Sequence, residues 1–568
     1  MTNDEIADSF LLLSKLMDIH GEDSFKSKTY SVAAFNIEQL TLPIADTPHE
    51  KIFSIRGIGK SVGEKIITLL ETGQLPLLEE YLSTTPTGIV EMLNIKGIGP
   101  KKIHTIWKEM DIESLGELLY ACHENRLTLY KGFGEKTQKT IQENIEFYFS
   151  NQGHFLYASI DAIYPQIKTY LENLFGAANI KPTGDFRRQA TTIEELEFVV
   201  NAENATIKPK FETAQPPELL EENEDNLLYK LKNGLQLRLY TGTENIFLQQ
   251  FITTGSSEFI TAFSEKFPAA LQSNPESEAA IFANAGIALI PPFLREDKKI
   301  IELAEQNKLP TVIQPEDVKA LIHCHSQWSD GINTIEEMAE ACKLRGFEYM
   351  VLSDHSQSAF YAKGLKEDRI LAQHQQIDAL NLQFQQEAKK NKQPFFKIFK
   401  SIESDILNDG QLDYPREILQ TFDLIIASIH SNLKMTEEKT MQRLLTAIEN
   451  PYTIILGHMT GRLLLSRNGY PVDHKKIIDA CAANHVVIEI NAHPRRLDID
   501  WRWIAYAREK KVLLSINPDA HALAGLDDIK YGTLAAQKGG LTKNENLSSF
   551  ALPAFEKWLA NVRQLKGI

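Results

Sequence analysis

After residue 315 the chain repeats one pattern about seven times: a short, apolar, β-branched run that ends in a polar residue able to bind a metal. Such runs, alternating with helical segments, indicate parallel strands linked by crossover helices. A parallel barrel gathers the carboxyl ends of its strands at one face, and that face carries the active site. The first run delivers His323, Cys324 and His325. Residues two apart on a strand face the same way, so the two imidazoles are expected to hold one metal as a pair, with Asp330 in the loop beyond. Tyr349–Ser353 leads to Asp354 and His355, and Ile398–Ile402 leads to Glu403 and Asp405, a placement suited to a bridging carboxylate. Leu424–Ile429 and Thr453–Gly457 end in His430 and His458. The sixth run continues into Glu489, Ile490 and Asn491, and Val512–Asn517 ends in Asp519, Ala520 and His521. One histidine at a strand end is ordinarily structural; ligand chemistry at so many of them is a site.

The four cysteines, Cys122, Cys324, Cys342 and Cys481, stand far apart with no CxxC pair, which argues against a disulfide framework and a thiolate zinc site. Metals must therefore rest on imidazole and carboxylate, a donor set that suits zinc, manganese or iron better than magnesium. Such ions bring the pKa of bound water near neutrality and favour direct hydrolysis of a phosphoester without a covalent intermediate. Arg462 and the Arg495–Arg496 pair lie just past strand ends; Arg462 is expected to clamp substrate phosphate, and for the pair a solvated loop position is an equal alternative.

The front of the chain has a different character. Residues 1 to about 150 read as helices, with apolar periodicity at Ile6–Met17 and Tyr30–Leu40. Three glycine turns recur at a spacing of roughly 35 to 40 residues: Gly57-Ile58-Gly59-Lys60, Gly97-Ile98-Gly99-Pro100 and Gly132-Phe133-Gly134-Glu135. In a Gly-x-Gly turn that opens a helix, small residues let the backbone approach a ligand and the free N–H groups attract phosphate. This matters because a net charge of -16 argues against a broad basic footprint, so DNA contact must be local or made by backbone. The turns resemble the helix-hairpin-helix of DNA repair proteins, which implies sequence-independent contact at Gly57, Gly59, Lys60, Gly97, Gly99, Gly132 and Gly134. Lys65 matches the Schiff-base lysine of the related lyase domain, although a simple phosphate contact is the commoner role for such a lysine.

Between about 151 and 312 the pattern mixes strands and helices, and the acidic stretch Phe211 to Asp225 reads as an exposed loop. Gly184-Asp185-Phe186-Arg187-Arg188, then Glu195-Leu196-Glu197, then Thr254-Gly255-Ser256, resemble the palm motifs of family X DNA polymerases. The resemblance places Glu195, Glu197 and, on Leu235–Tyr240, Gln236 where that family has three magnesium-binding aspartates. Two-metal nucleotidyl transfer needs convergent carboxylates in near-ideal geometry. A longer acid misfits that geometry, a neutral amide removes charge, and Asp185 in place of a serine repels triphosphate. Template-directed synthesis and magnesium binding in the palm are therefore disfavoured.

The C-terminal motifs closely resemble the PHP (polymerase and histidinol phosphatase) domain of bacterial family X polymerases, and the whole architecture matches that family end to end. The resemblance implies His323, His325, Asp330, His355, Glu403, His430, His458, Asp519 and His521 as ligands of three divalent ions. The expected chain is a multidomain α/β protein. It comprises helix-hairpin-helix domains at 1–80 (8-kDa-like) and 81–150 (fingers-like), an α+β nucleotidyltransferase-like palm at 151–240, a thumb-like 241–315, and a (β/α)7-type PHP barrel at 316–568. The resemblance implies 3′-to-5′ exonuclease action on gapped, nicked or 3′-ended DNA in repair, with abasic-site or 3′-phosphate processing as related activities. No window reads as a membrane span or a secretory segment, so a cytoplasmic protein without a membrane partner is expected, with a monomer favoured and the oligomeric state left open. An active gap-filling polymerase with a proofreading PHP domain, a non-catalytic DNA scaffold and a small-molecule phosphatase are the rival readings.

Overall fold

The computed structural model describes residues 1–123, 126–150, 153–211, 216–242, 245–465 and 468–568. It divides into two compact units, Met1–Gln152 and Gly153–Ile568. The described part of the first unit is helical, opening with Asn3–His20, capped by Thr2, and Ser24–Glu38, capped by Asp23. Its three glycine turns are built alike. Gly57, Gly97 and Gly132 have φ of +80°, +89° and +93°, a region that β-carbon sterics deny most residues. In each turn the residue between the glycines, Ile58, Ile98 or Phe133, is buried in the unit's core and donates its N–H back to Ile55, Ile95 or Tyr130. The second glycine of each then opens a helix: Lys60–Thr72, Pro100–Lys108 and Glu135–Ser150. One buried side chain thus anchors each turn while its backbone faces outward.

The second unit contains a mixed five-stranded sheet ordered 180–183, 195–201, 236–242, 226–230, 218–222. The strand Glu195–Asn201 runs parallel to Gln236–Gly242, pairing Glu195 with Gln236 and Glu197 with Arg238. The acidic stretch expected to be a loop is corrected in part: Glu218–Glu222 is an exposed edge strand paired with Asn226–Lys230, while residues 212–215 lie outside the described residues. Main-chain pairing with a hydrophobic neighbour outweighs the loop-like composition, and the glutamates keep the sheet edge charged. Helices at Ile246–Thr254, Ser257–Lys266, Glu278–Asn284 and Lys299–Glu305 pack around Phe251, Phe259, Phe263 and Phe282.

Beyond this lies a sheet of seven parallel strands in strict sequence order: Ala320–Cys324, Tyr349–Leu352, Lys397–Asp405, Leu424–Ser428, Thr453–Leu456, Val487–Asn491 and Leu514–Asn517. The first and last strands meet through a Cys324–Ala520 bridge, in which His325 N–H donates to Ala520 at 2.8 Å, so the sheet curls into a nearly closed (β/α)7 barrel. Alternate residues serve two apolar layers. Ile322, Val351 and Ile426 join Phe555 and Leu559 of the C-terminal helix Leu552–Lys566, whereas Leu321, Met350 and Ile425 meet the surrounding helices. Burial on both faces explains why these strands read as continuous apolar runs.

Candidate metal centre

Glu403, fully buried near the end of the third barrel strand, is the hub of the site. Around its two oxygens stand His355 Nδ1 at 3.0 Å, His458 Nε2 at 3.0 Å, His430 Nε2 at 3.1 Å, His323 Nε2 at 3.3 Å and His325 Nε2 at 3.7 Å. Asp519 faces both first-strand histidines, at 3.4 Å from His323 and 3.1 Å from His325. Asp330 and His521, both half-exposed, lie 3.5 Å apart at the mouth. Three ligand groups result: His323 with His325, Glu403 and Asp519; His325 with Asp330, His355 and His521; His355 with Glu403 and His430. His458 stands against the hub outside these groups.

The donor set fits divalent transition metals. His323 Nε2, His325 Nδ1, His458 Nδ1 and Glu403 Oε2 are buried without a hydrogen-bond partner, a costly arrangement unless a cation completes it. Titration points the same way. Burial pushes His325 down to about 3, helped by the neighbouring His521 and His355. His430 is driven up to about 10 against its burial, because Glu403 and Asp405 attract a proton. His430, His323 and His355 hold Glu403 well below the ordinary carboxylate range despite its burial. Neighbouring imidazoles with opposed proton demands and ionised carboxylates among them are better served by shared cations than by protons.

The simple strand alternation expected for the first pair is corrected. The register between the first two strands slips between Ile322 and Cys324, and His323 adopts φ +67°. This bulge re-aims the His323 ring, and Asp519, just past the strand that closes the barrel, has φ +53°. Such left-handed backbone at two adjoining metal-facing residues is strain held by its surroundings.

A second layer fixes the histidine rings. His323 Nδ1–H donates to Glu489 at 2.6 Å, and Glu489 also accepts from Asn491, Asn517 and the His458 backbone. His430 Nδ1–H donates to Asp405. Carboxylate–histidine pairs of this kind set the tautomer and leave Nε2 for the metal. Asp354 accepts from Ser326, Ser329 and Gln373, which holds the loop that presents Asp330. Arg462, expected as a phosphate clamp, donates from its guanidinium to Asp500 and to the carbonyls of Arg496 and Leu497, bracing the loop after the sixth strand. That loop brings Arg496 Nε to 3.7 Å from Asp519, beside a cleft of about 470 Å³ lined by His493, Asp519, His521 and Asp528. Sequence reasoning marked Glu489 and Asp405 as strand-end acids, but whether an acid ligates or orients depends on spacing that only the folded barrel reveals.

The palm residues are tied into the protein. Glu195 is paired with Arg238. Glu197 accepts from the Asp185 N–H at 2.9 Å and the Tyr240 hydroxyl at 3.0 Å, and burial pushes its carboxyl up to about 7. Gln236 lies across from Glu195 in the register. Arg187 grips Glu278 bidentately at 2.7 Å and donates to Thr254, while Arg188 pairs with Asp185 and Glu296. Gly255 packs tightly on Phe259 and Ile260, and Ser256 caps the helix Ser257–Lys266. Lys538, on the barrel helix Ile529–Lys538, reaches into this network to pair with Glu296. In the first unit, Lys60 begins a helix, and Lys65 Nζ lies 3.2 Å from Ser61 and over the Tyr30 ring.

Residues 1–75 match the helix-hairpin-helix domain, 89–146 the SAM-like helix-hairpin-helix tandem, and 322–493 the PHP domain. The chain is 31% identical, over 96% of both lengths, to the DNA polymerase/3′-5′ exonuclease PolX of Bacillus subtilis (strain 168). The chain belongs to the family X DNA polymerases that carry a C-terminal PHP domain. Over shorter stretches it is also similar to probable phosphatases: 33% identical to one of Caldanaerobacter subterraneus subsp. tengcongensis over 17% of this chain and 37% of that protein. A probable phosphatase of Clostridium acetobutylicum is 38% identical over 16% and 37%. As a PHP-bearing family X member the protein is an enzyme with a metal-dependent phosphoesterase domain. Among the described residues no helix is long and apolar enough to cross a membrane.

Proposed function

We propose that this polymerase relative removes nucleotides from DNA 3′ ends through its PHP domain, and that its palm is a platform rather than a working synthetic site. The observation that carries the reading is the convergence of eight strand-end and loop residues, the buried Glu403 among them, into three overlapping groups, with His458 against Glu403. His323, His325, Asp330, His355, Glu403, His430, His458, Asp519 and His521 would hold about three zinc, manganese or iron ions. When bound, these supply an activated water and neutralise phosphate charge. Glu489 and Asp405 hold His323 and His430 in the tautomer that ligation requires. Arg496, held by the Arg462 brace, binds a phosphate oxygen at the cleft, and the three glycine turns bind backbone phosphates without regard to sequence. Gapped, nicked or 3′-ended DNA in repair is the substrate class, and a cytosolic monomer is part of the same reading.

For the palm, support comes from the tethers. A carboxylate committed to Arg238 and another shared between an amide and a tyrosine are poorly placed to converge on magnesium, and Gln236 brings no charge. A labelled primer–template incubated with Mn²⁺, with and without dNTPs, tests both halves. Stepwise shortening without extension is expected; robust extension overturns the platform reading. The Glu195→Ala/Glu197→Ala variant is expected to leave the exonuclease rate within about two-fold of the unmodified protein, because palm residues that share no partner with the barrel ligands act independently of them. Incorporation by the unmodified protein that vanishes in that variant would make those glutamates working metal ligands.

A further inference from the structure

Arg443 lies on the helix Glu437–Glu449 and is fully buried. A buried guanidinium is normally neutralised by a carboxylate, as Arg462 is by Asp500 and Arg295 by Glu278. For Arg443 no carboxylate among the described residues takes a hydrogen bond from it. Its partners are carbonyl oxygens: Leu407 from Nε at 3.0 Å, Ser431 from Nη1 at 3.1 Å and Ile406 from Nη2, with the Met435 sulfur at 3.2 Å. Ile406 and Leu407 immediately follow Asp405, and Ser431 immediately follows His430. One rigid fork therefore spans the segments leaving the third and fourth barrel strands, just behind the two residues that form the His430–Asp405 pair.

We propose that Arg443 is a positioning residue for the cation group formed by His355, Glu403 and His430. Its planar donors fix the distance between the two strand exits and so the seating of Asp405 against His430. A neutral side chain of similar size fills the same space and supplies neither donor nor charge. This accounts for a buried cation whose hydrogen bonds, among the described residues, go to carbonyls and a sulfur, an arrangement that costs stability unless it serves something else. The inference rests on reading those three residues as metal ligands.

The test uses the full-length protein with Mn²⁺ as the probe. The unmodified chain and the Arg443→Met and Arg443→Lys variants are titrated with Mn²⁺ after chelation, with bound metal counted by elemental analysis and folding followed by circular dichroism. Arg443→Met is expected to weaken the last-filled site by about ten-fold or more, the usual cost of removing an outer-shell partner, and to lose one ion per chain at limiting metal. Arg443→Lys keeps the charge without the fork and is expected to fall between the two. Combining Arg443→Lys with Asp405→Asn is expected to be no worse than Asp405→Asn alone, since both act on one unit. Either folded variant titrating like the unmodified protein overturns the proposal. So does failure of both to fold with or without metal, since the role is then stability alone. If the unmodified chain itself binds no Mn²⁺, the ligand reading has failed instead.

Discussion

The His323→Ala/His325→Ala variant is expected to lose exonuclease activity by at least about 10³-fold while its affinity for DNA stays within about two-fold. Both rings belong to the ligand group that includes Glu403 and Asp519, and His325 also belongs to the group at the mouth, so two of the three groups are damaged at once. Charge neutralisation at the reacting phosphate contributes several kcal/mol, and 1.36 kcal/mol is a factor of ten in rate. Binding survives because the glycine turns lie in Met1–Gln152, a compact unit with its own core. The double change leaves Glu403 and Asp519 buried with fewer cationic neighbours, which lowers stability; thermal unfolding separates that loss from lost chemistry. Degradation of a 3′-labelled strand, metal content and fluorescence anisotropy are measured on one preparation. Unchanged degradation overturns the assignment of the ligands.

The reason so much of this centre is visible in the sequence lies in the parallel barrel itself. Both faces of each strand are buried, so the strands appear as unbroken apolar runs, and the first polar residue after each run sits at the active face. His355, His430, His458 and Asp519 could be placed this way before any coordinates. What the pattern does not carry is the local geometry at the seam, where the bulge and positive φ at His323 break the two-residue alternation. The division of labour between acids is equally hidden. Glu403 and Glu489 both lie near strand ends, yet one sits among five imidazoles and the other accepts a hydrogen bond from the far side of one of them. Arg462 adds contacts that the sequence does not display, since this strand-end arginine also braces Asp500 and two carbonyls of the following loop. Pairwise tethers such as Arg238 on Glu195 connect residues 43 positions apart and leave no local trace.

The glycine turns offer the second large effect, and the structure separates contact from folding there. Gly57, Gly97 and Gly132 have positive φ, so a side chain at any of them strains the turn itself. Gly59, Gly99 and Gly134 do not, and a β-carbon at each meets nothing within 4 Å. The open space beside these second glycines would admit a backbone phosphate to the helix N–H groups under the proposed function. Gly59→Val/Gly99→Val/Gly134→Val is therefore expected to raise the Kd for DNA at least about ten-fold, equivalent to one lost charge-assisted hydrogen bond, for every sequence alike. Valine is a poor helix cap, so a loss of about 1 kcal/mol per site in stability is expected as well and is read from thermal unfolding. Salt dependence supplies the discriminating measurement. Backbone donors release no counterions, so the slope of log Kd against log salt is expected to stay as in the unmodified protein, whereas Lys60→Ala/Lys65→Ala lowers it by about one per lysine lost from phosphate contact. Weakening confined to particular sequences, or an unchanged Kd in a folded triple variant, removes the turns from the DNA-binding surface.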